Sequence, residues 1–185
     1  MRALKAFIRI VDWCNTQMGK CAGWTALLMV LVVTVDVILR YLFNFSLVFV
    51  QELEWHLFGL LFLLGAGYTL FVDGHVRVDV FYQRWSARTQ AWVNLVGVVL
   101  MLIPGCLLVI DTSWGFFLHS LRLGEGSPDP GGIPMRYLLK FVIPLGFTLL
   151  LFQGVASGLK NVLFLVGQPY EGKASDPAAE NGRGA

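Results

Sequence analysis

Charged residues are scarce in this chain: Asp, Glu, Lys and Arg make up 14% of its 185 residues, whereas hydrophobic residues make up 56%. A soluble protein of this size needs more polar residues to cover its surface. The net charge of +2 is also too small to indicate a nucleic-acid partner. These shortages indicate an integral membrane protein that has no room for a soluble catalytic domain.

Cysteine is also rare, and the positions of the three cysteines exclude the usual cysteine sites. Cys14 and Cys21 lie near the N-terminus, and Cys106 lies within an apolar run. They form no CxxC motif, so neither a disulfide nor a zinc site is expected. We interpret all three as small apolar side chains.

Four long apolar runs occupy most of the chain, at residues 21–39, 57–72, 91–110 and 141–159. A helix needs about 20 apolar residues to cross the hydrocarbon core of a bilayer. Lipid cannot satisfy exposed backbone polar groups, and the runs lack the alternation typical of barrel strands. We therefore predict an all-α integral membrane protein with four transmembrane helices in one domain over residues 21–166.

The two ends of the chain differ from this apolar middle. Residues 1–20 carry apolar and basic side chains on opposite helical faces, with Trp13 among them. This pattern predicts an amphipathic helix that lies along the inner membrane surface. The same residues could instead extend the first span into the cytoplasm. Residues 167–185 are polar and rich in Gly, Pro and Ala, which predicts a disordered tail.

Lysine and arginine are distributed unevenly between the two predicted sides of the membrane. Ten of them fall on the side of the chain ends and of the connection between the second and third spans: Arg2, Lys5, Arg9, Lys20, Arg77, Arg84, Arg88, Lys160, Lys173 and Arg183. Four fall on the opposite side: Arg40, Arg122, Arg136 and Lys140. Because basic residues are enriched in cytoplasmic connections, both termini are predicted to be cytoplasmic.

A polar cluster is predicted at the outer ends of the first two spans. Asp36 and Arg40 lie four residues apart, so they can pair on one helix face. The uncharged part of the second span, residues 57–72, is too short to cross a core of about 30 Å. Part of the preceding charged turn must therefore lie at membrane depth. The predicted cluster consists of Asp36, Arg40, Glu52, Glu54, Trp55 and His56.

This cluster has two interpretations. It is either a structural ion-pair network that fixes the hairpin or a partner helix, or an ion or proton site. Glu52 and His56 would share one helix face, and Glu54 would point elsewhere. A transport site normally lies near the midplane at a broken helix. The second span is unbroken and the cluster lies toward one membrane face, so we favour the structural interpretation.

Polar residues also mark both connections of the third span. His75, Arg77 and Asp79 follow the second span, and we predict a capped, salt-bridged turn there in preference to a metal site. The longest outer connection, residues 112–136, ends in a stretch rich in Gly and Pro and carries Glu125 and Asp129. We predict that this connection is a docking surface with an acidic tip.

Glycine and proline within the last two spans predict two local features of the helices. Pro104 and Gly105 should distort the third span, because proline removes a helical hydrogen bond. Gly154 and Gly158 have the spacing that permits close approach of a neighbouring helix.

Several motifs occur together over most of residues 20–160. They are Arg40-Tyr41-x-Phe43-Asn44, Gln51-Glu52-Leu53-Glu54-Trp55, Gly65-Ala66, His75-Val76-Arg77-Val78-Asp79 and Ile143-Pro144-Leu145-Gly146-Phe147. In order and spacing they resemble the small permease subunit of tripartite ATP-independent periplasmic (TRAP) transporters. The stretch 124–132, with Trp114, further resembles the subgroup labelled for mannitol, chloroaromatic or 2-oxo acid uptake. The chain also lacks the paired, broken spans that are typical of secondary transporter cores, which indicates an accessory subunit.

The resemblance implies a bacterial inner-membrane protein that is not an enzyme. In this family a periplasmic binding protein captures an organic anion, and a large membrane subunit carries it with sodium by an elevator motion. The small subunit holds the large one as a fixed scaffold, helps dock the binding protein, and needs no cofactor of its own. Glu52 matches the usual glutamate of the second span, and Arg40 and the turn 75–79 match other polar markers. Trp55 stands where the family often has a polar residue.

Two other classes of protein have this size and number of spans. A haem-carrying anchor of a respiratory complex needs two histidines on different spans at similar depth, whereas only His56 lies within the outer part of a span. A small drug exporter would keep a carboxylate central in its first span, whereas Asp36 lies late in that span.

Overall fold

The computed structural model describes residues 2–74, 82, 84–168 and 170. Within these residues the protein is helical, with four helices that are long and apolar enough to cross a membrane. Their bounds are Arg2–Phe43 (α1), Val48–Phe71 (α2), Ala87–Leu123 (α3) and Arg136–Leu165 (α4). The prediction of an all-helical chain with four apolar helices is confirmed.

The N-terminal segment differs from the predicted separate interfacial helix. Residues 2–20 continue into the first span as one helix of 42 residues, a length of about 63 Å. Ile8 and Val11 are buried in an apolar cluster with Ala156 and Leu163 of α4. The apolar face of the segment therefore packs against another helix of the protein, which agrees with the alternative that the segment extends the first span.

The first two helices form a tight hairpin. Residues 44–47 connect them, and Asn44 adopts a left-handed backbone conformation with φ of 49°. Asparagine tolerates this conformation better than most residues, so it suits the turn. Helix α4 packs against both α2 and α3, and the N-terminal part of α1 also reaches α4.

Glycines of α4 allow its neighbours to approach closely. A side chain at Gly146 would lie 2.7 Å from the backbone oxygen of Leu63, so α2 and α4 can cross at this distance only without one. A side chain at Gly154 would overlap that of Leu102, and one at Gly158 would lie 3.4 Å from Val98. The predicted close helix approach is confirmed at Gly154, where the approaching helix is α3, whereas a side chain at Gly158 would make ordinary contact with the same helix.

Helix α3 is interrupted one turn before its proline. It begins after Ser86, whose hydroxyl accepts a hydrogen bond from the Thr89 amide. Residues Val98–Leu102 form a π-helical turn, and the α-helix resumes at Ile103. Pro104 cannot donate to the carbonyl of Leu100 and its ring would collide with that carbonyl, and a wider turn relieves both problems. The distortion predicted at Pro104 and Gly105 is therefore displaced toward the helix N-terminus.

Candidate functional site

A buried carboxylate near the start of α2, that of Glu52, holds the connection between α3 and α4. The Glu52 side chain accepts hydrogen bonds from the hydroxyl of Ser127 at 2.5 Å and from the amide of Ile133 at 2.6 Å. An Arg136 guanidinium nitrogen lies 3.6 Å from the same carboxylate. We call Glu52, Ser127, Ile133 and Arg136 the loop cluster. Two hydrogen bonds and one ion pair thus fasten residues 124–135 and the start of α4 to α2.

The connection itself is closed by main-chain hydrogen bonds. The amide of Ser127 donates to the carbonyl of Ile133 at 2.9 Å, and the amide of Arg136 donates to the carbonyl of Glu125 at 3.1 Å. A side chain at Gly132 would lie 2.6 Å from a Glu52 carboxylate oxygen. Glycine is therefore needed where the loop passes over Glu52, and the stretch rich in Gly and Pro is compact although it is irregular.

Glu125 lies at the other side of this connection and turns toward α4. Its carboxylate accepts a hydrogen bond from the Lys140 ammonium at 2.5 Å, and this bond lowers the pKa of the Glu125 carboxyl below its ordinary value. Asp129, in contrast, is exposed, and its link to the loop cluster is a hydrogen bond of 3.1 Å from its amide to the Ser127 hydroxyl. The predicted acidic tip is thereby reduced to Asp129.

Aromatic rings cover the loop cluster from the side of α2. The ring of Trp55 lies 3.9 Å from that of His56, and the Arg136 guanidinium lies 5.2 Å from the Trp55 ring. His56 is buried, and its Nδ1 lies 2.6 Å from the carbonyl oxygen of Glu52. Glu52 and His56 therefore share a buried face as predicted. Glu54 is half-buried, and one of its carboxylate oxygens has no hydrogen-bond partner among the described residues.

A pocket opens beside these rings. Its volume is about 470 Å³, and it is lined by Trp55, Phe116, Glu125, Arg136, Leu139, Lys140 and Ile143. Its walls are mainly apolar, and the cations of Arg136 and Lys140 are already paired with Glu52 and Glu125. The pocket therefore has no excess of charge that would attract an ion.

The first-span pair forms as predicted but does not join the loop cluster. Arg40 donates to Asp36 within α1, where Asp36 is buried and Arg40 is half-exposed. Among the described residues, the ion pair of Glu52 is with Arg136 and not with Arg40. The described residues thus contain no ion pair between Arg40 and Glu52, and the two carboxylates have different basic partners. His75, Arg77 and Asp79 lie outside the described residues.

Arg136, Lys140 and Ser127 are absent from the predicted cluster. Arg136 and Lys140 are basic, lie four residues apart and open the last span. Helices α2 and α4 begin at the same end of the bundle, and acidic residues lie near the start of α2. The two basic residues could therefore have been identified as partners of these acidic residues. Ser127 gives no comparable signal, since serines are ordinary components of connections.

A second polar cluster, which the sequence does not predict, joins α1 to α4 at the opposite end of the bundle. The Lys160 ammonium donates to Asp12 at 2.8 Å, and the Gln153 amide donates to the same carboxylate oxygen at 3.2 Å. The Asn15 amide donates to Gln153 at 2.9 Å. Asn15 and Gln153 are each only 1% exposed. We call Asp12, Asn15, Gln153 and Lys160 the terminal cluster.

The terminal cluster also touches α2 through a glycine. The side-chain oxygen of Asn15 has no conventional hydrogen-bond partner among the described residues. It occupies the place where a side chain at Gly67 would begin, so it faces a Cα–H group of α2. Contacts of this kind are weak hydrogen bonds. The cluster therefore requires glycine at position 67 and brings three helices together.

These features define the class of the protein. The protein is a helical, multi-pass membrane protein, with four apolar helices and buried polar side chains at both ends of the bundle. It belongs to the family of the DctQ component of tripartite ATP-independent periplasmic transporters, and the match covers residues 29–163. Members of this family are components of transporters.

Two curated relatives agree with this assignment. The chain is 34% identical to a TRAP transporter small permease protein of Haemophilus influenzae over 104 residues. These matched residues make up 56% of this chain and 63% of the relative. It is 31% identical over 114 residues to the C4-dicarboxylate TRAP transporter small permease protein DctQ of Vibrio cholerae serotype O1, covering 62% of this chain and 48% of the relative. The matched part is thus less than two thirds of either relative's own length. No solved structure matches the chain.

Proposed function

We propose that this chain is the fixed scaffold of a TRAP transporter, which holds the large membrane subunit in place and helps dock the periplasmic binding protein. The observation that carries the proposal is the presence of buried polar clusters at both ends of α4. The loop cluster joins α4 and its preceding connection to α2, and the terminal cluster joins α4 to α1. A subunit that resists an elevator motion needs helices that do not slide against one another.

The proposed orientation places both termini in the cytoplasm and residues 124–135 in the periplasm, as the distribution of basic residues predicts. The exposed side chain of Asp129 would then face an incoming binding protein. The loop cluster supports this role because it holds the backbone near Asp129 in one conformation. A docking surface that is ordered before binding loses less conformational entropy on binding.

The cargo is proposed to be an organic acid, of the kind handled by the mannitol, chloroaromatic or 2-oxo acid subgroup. Sodium coupling is assigned to the large subunit, and this subunit is proposed to need no cofactor. The loop cluster supports the assignment, because Glu52 already has three partners within this chain, two through hydrogen bonds and one through an ion pair. The carboxylate therefore has a structural use that does not depend on a transported ion.

The test is purification of the tagged chain from native membranes, followed by reconstitution with its partners. We expect a larger multi-span protein to copurify, and we expect sodium-driven uptake in vesicles to require both chains and a binding protein. A chain that purifies alone under mild detergent, or a large subunit that transports equally well without it, would contradict the scaffold function. A Soret band in the purified chain would instead support the haem-anchor alternative.

Docking is tested separately with Asp129. We expect Asp129→Asn to weaken binding of the periplasmic protein to the assembled complex without dissociating the two membrane subunits. Asp73→Asn, a substitution at the opposite end of α2, is the matched control because it changes the same charge on the other proposed side. Equal binding by both variants would remove Asp129 from the docking surface.

A further inference from the structure

Helix α3 carries a carboxylate on its outer surface, far from either end. Asp111 is exposed, and its carboxylate has no ion-pair or hydrogen-bond partner among the described residues. The third apolar run ends at residue 110, so hydropathy alone places Asp111 at the membrane surface. Helix α3, however, continues as far as Leu123.

Contacts between α3 and α4 locate Asp111 within the membrane. The Lys140 ammonium lies 3.9 Å from the ring centroid of Phe116, which marks the charged end of the bundle. Asp111 lies five residues deeper along α3, about 7.5 Å at the rise of a helix. At the other side of Asp111, Leu102 contacts Gly154 within the apolar part of α4. With the membrane surface taken at the level of Lys140, the carboxylate lies in the hydrocarbon region, in the leaflet nearer to the loop cluster.

The side chain points away from the rest of the protein. Buried residues of this helix, Cys106, Ser113 and Ser120, face α4, whereas Leu108, Asp111 and Gly115 are exposed. Their spacing of three and four residues places these three on one stripe of the helix. A side chain at Gly115 would have nothing within 4 Å, so the stripe is open on that side. We call Leu108, Asp111 and Gly115 the Asp111 stripe.

A carboxylate in this position is unfavourable if lipid covers it. Intramembrane ionisable residues almost always face a protein interior or a water-filled cavity and pair with another group. An aspartate is also too short to reach the interface across the distance that a lysine or arginine can bridge. The exposed face of α1 shows the contrast: Thr25 and Thr34 donate to carbonyls of their own helix, at 2.9 and 2.7 Å, and suit contact with lipid.

We propose that the Asp111 stripe is the surface on which a transmembrane helix of the large subunit packs, with a basic or hydrogen-bond-donating side chain opposite Asp111. This inference rests on the proposed function, since it names the contact face of that assembly. Charge complementarity selects the occupant. A second copy of this chain on the same face would bring two like charges together across a symmetric contact. Gly115 leaves room for a neighbouring backbone to come close.

The contact is tested by crosslinking in native membranes. A photoreactive amino acid is placed at Leu108, beside Asp111, and at Leu31 on the exposed face of α1 as the matched control. We expect crosslinks to the large subunit from position 108 and few from position 31. Copurification without crosslinks from position 108, or with crosslinks from position 31 alone, would refute the proposed face and leave the scaffold function intact. A failure of the unmodified chain to copurify would refute the proposed function itself.

The charge is tested by substitution of Asp111. We expect Asp111→Leu to lower the yield of the complex by roughly tenfold, because the partner's buried polar group is left unpaired, and Asp111→Asn to lower it less. In detergent, the Asp111→Leu chain alone should be at least as stable as the unmodified chain, since the carboxylate has no partner among the described residues. Thr34→Val on α1 is the control and should change neither quantity. An unchanged yield with Asp111→Leu would overturn the proposal; if that variant does not accumulate, the crosslinks from position 108 decide.

Discussion

The terminal cluster allows a quantitative test of how α1 is held against α4. Asn15 and Gln153 are joined by a hydrogen bond of 2.9 Å, and each is 1% exposed. Asn15→Leu removes one amide and leaves the Gln153 carbonyl oxygen buried without its donor. A buried polar group that loses its partner costs about 1–3 kcal/mol. We therefore expect Asn15→Leu and Gln153→Met each to lower the free energy of unfolding by about that amount.

The double variant distinguishes this mechanism from simple loss of packing. When both partners are replaced by apolar groups of similar shape, the result can be nearly neutral. We expect the double variant to be less destabilised than the sum of the two single variants, by about 1 kcal/mol or more. The remaining cost comes from Asp12, because Gln153→Met also removes a 3.2 Å hydrogen bond to that carboxylate.

The assay is equilibrium unfolding of the purified chain in mixed detergent micelles, with helical content as the signal. Gln17→Met is the matched control. Gln17 lies on α1, as Asn15 does, and its side chain makes no hydrogen bond within the described residues. Strict additivity of the two single effects would refute the view that Asn15 and Gln153 act as a pair. If the control lowered the free energy of unfolding as much as Gln153→Met does, loss of any side-chain amide would account for the effect, and the pairing with Asn15 would not be needed.

Three other predictions concern the loop cluster, the helix crossing and acid pH. Glu52→Ala should speed hydrogen exchange at the amide of Ile133, which donates to that carboxylate at 2.6 Å, and unchanged exchange would refute the role of Glu52 in holding the loop. Gly146→Ala should destabilise the chain by about 1–3 kcal/mol through overpacking, whereas Gly23→Ala, where nothing lies within 4 Å, should not. Because its pKa is lowered in the folded protein, the Glu125 carboxylate contributes stability that is present above pH 4.5 and is lost as the pH falls further toward the lowered pKa. Limited proteolysis of the connection should increase over that range, and Glu125→Gln should reduce this dependence on pH.

Local patterns predict the parts of this protein that depend on neighbours in sequence. The four helices follow from hydrophobic runs, and the pairing of Asp36 with Arg40 follows from a spacing of one helical turn. The bond between Glu52 and Ser127 joins residues far apart in the chain. No periodicity indicates which residue of another helix will lie opposite, so the partner of Glu52 could not be identified before the helix packing was known.

The limits of hydropathy explain two other differences. Charges near the N-terminus predict a helix on the membrane surface, but Ile8 and Val11 find an apolar partner surface on α4 and the helix continues without a break. The third apolar run ends at residue 110, so hydropathy places Asp111 at the membrane surface. The helix continues to Leu123, however, so Asp111 lies well before its end. In both cases the helix is longer than its apolar run, and packing decides where the polar residues lie.

The two polar clusters and the Asp111 stripe together give a physical basis for a static subunit. Polar contacts between helices have a preferred register, since a shift of one turn, about 5.4 Å, would break every hydrogen bond that they contain. Apolar contacts between lipid-facing helices have no such strong preference. A helix bundle fixed by Glu52 at one end and by Asp12 at the other therefore keeps its register while a neighbouring domain moves. Under the proposed scaffold function, Asp111 would add one further polar contact, to an immobile helix of the large subunit, so the kind of contact that orders this chain would also hold it to its partner.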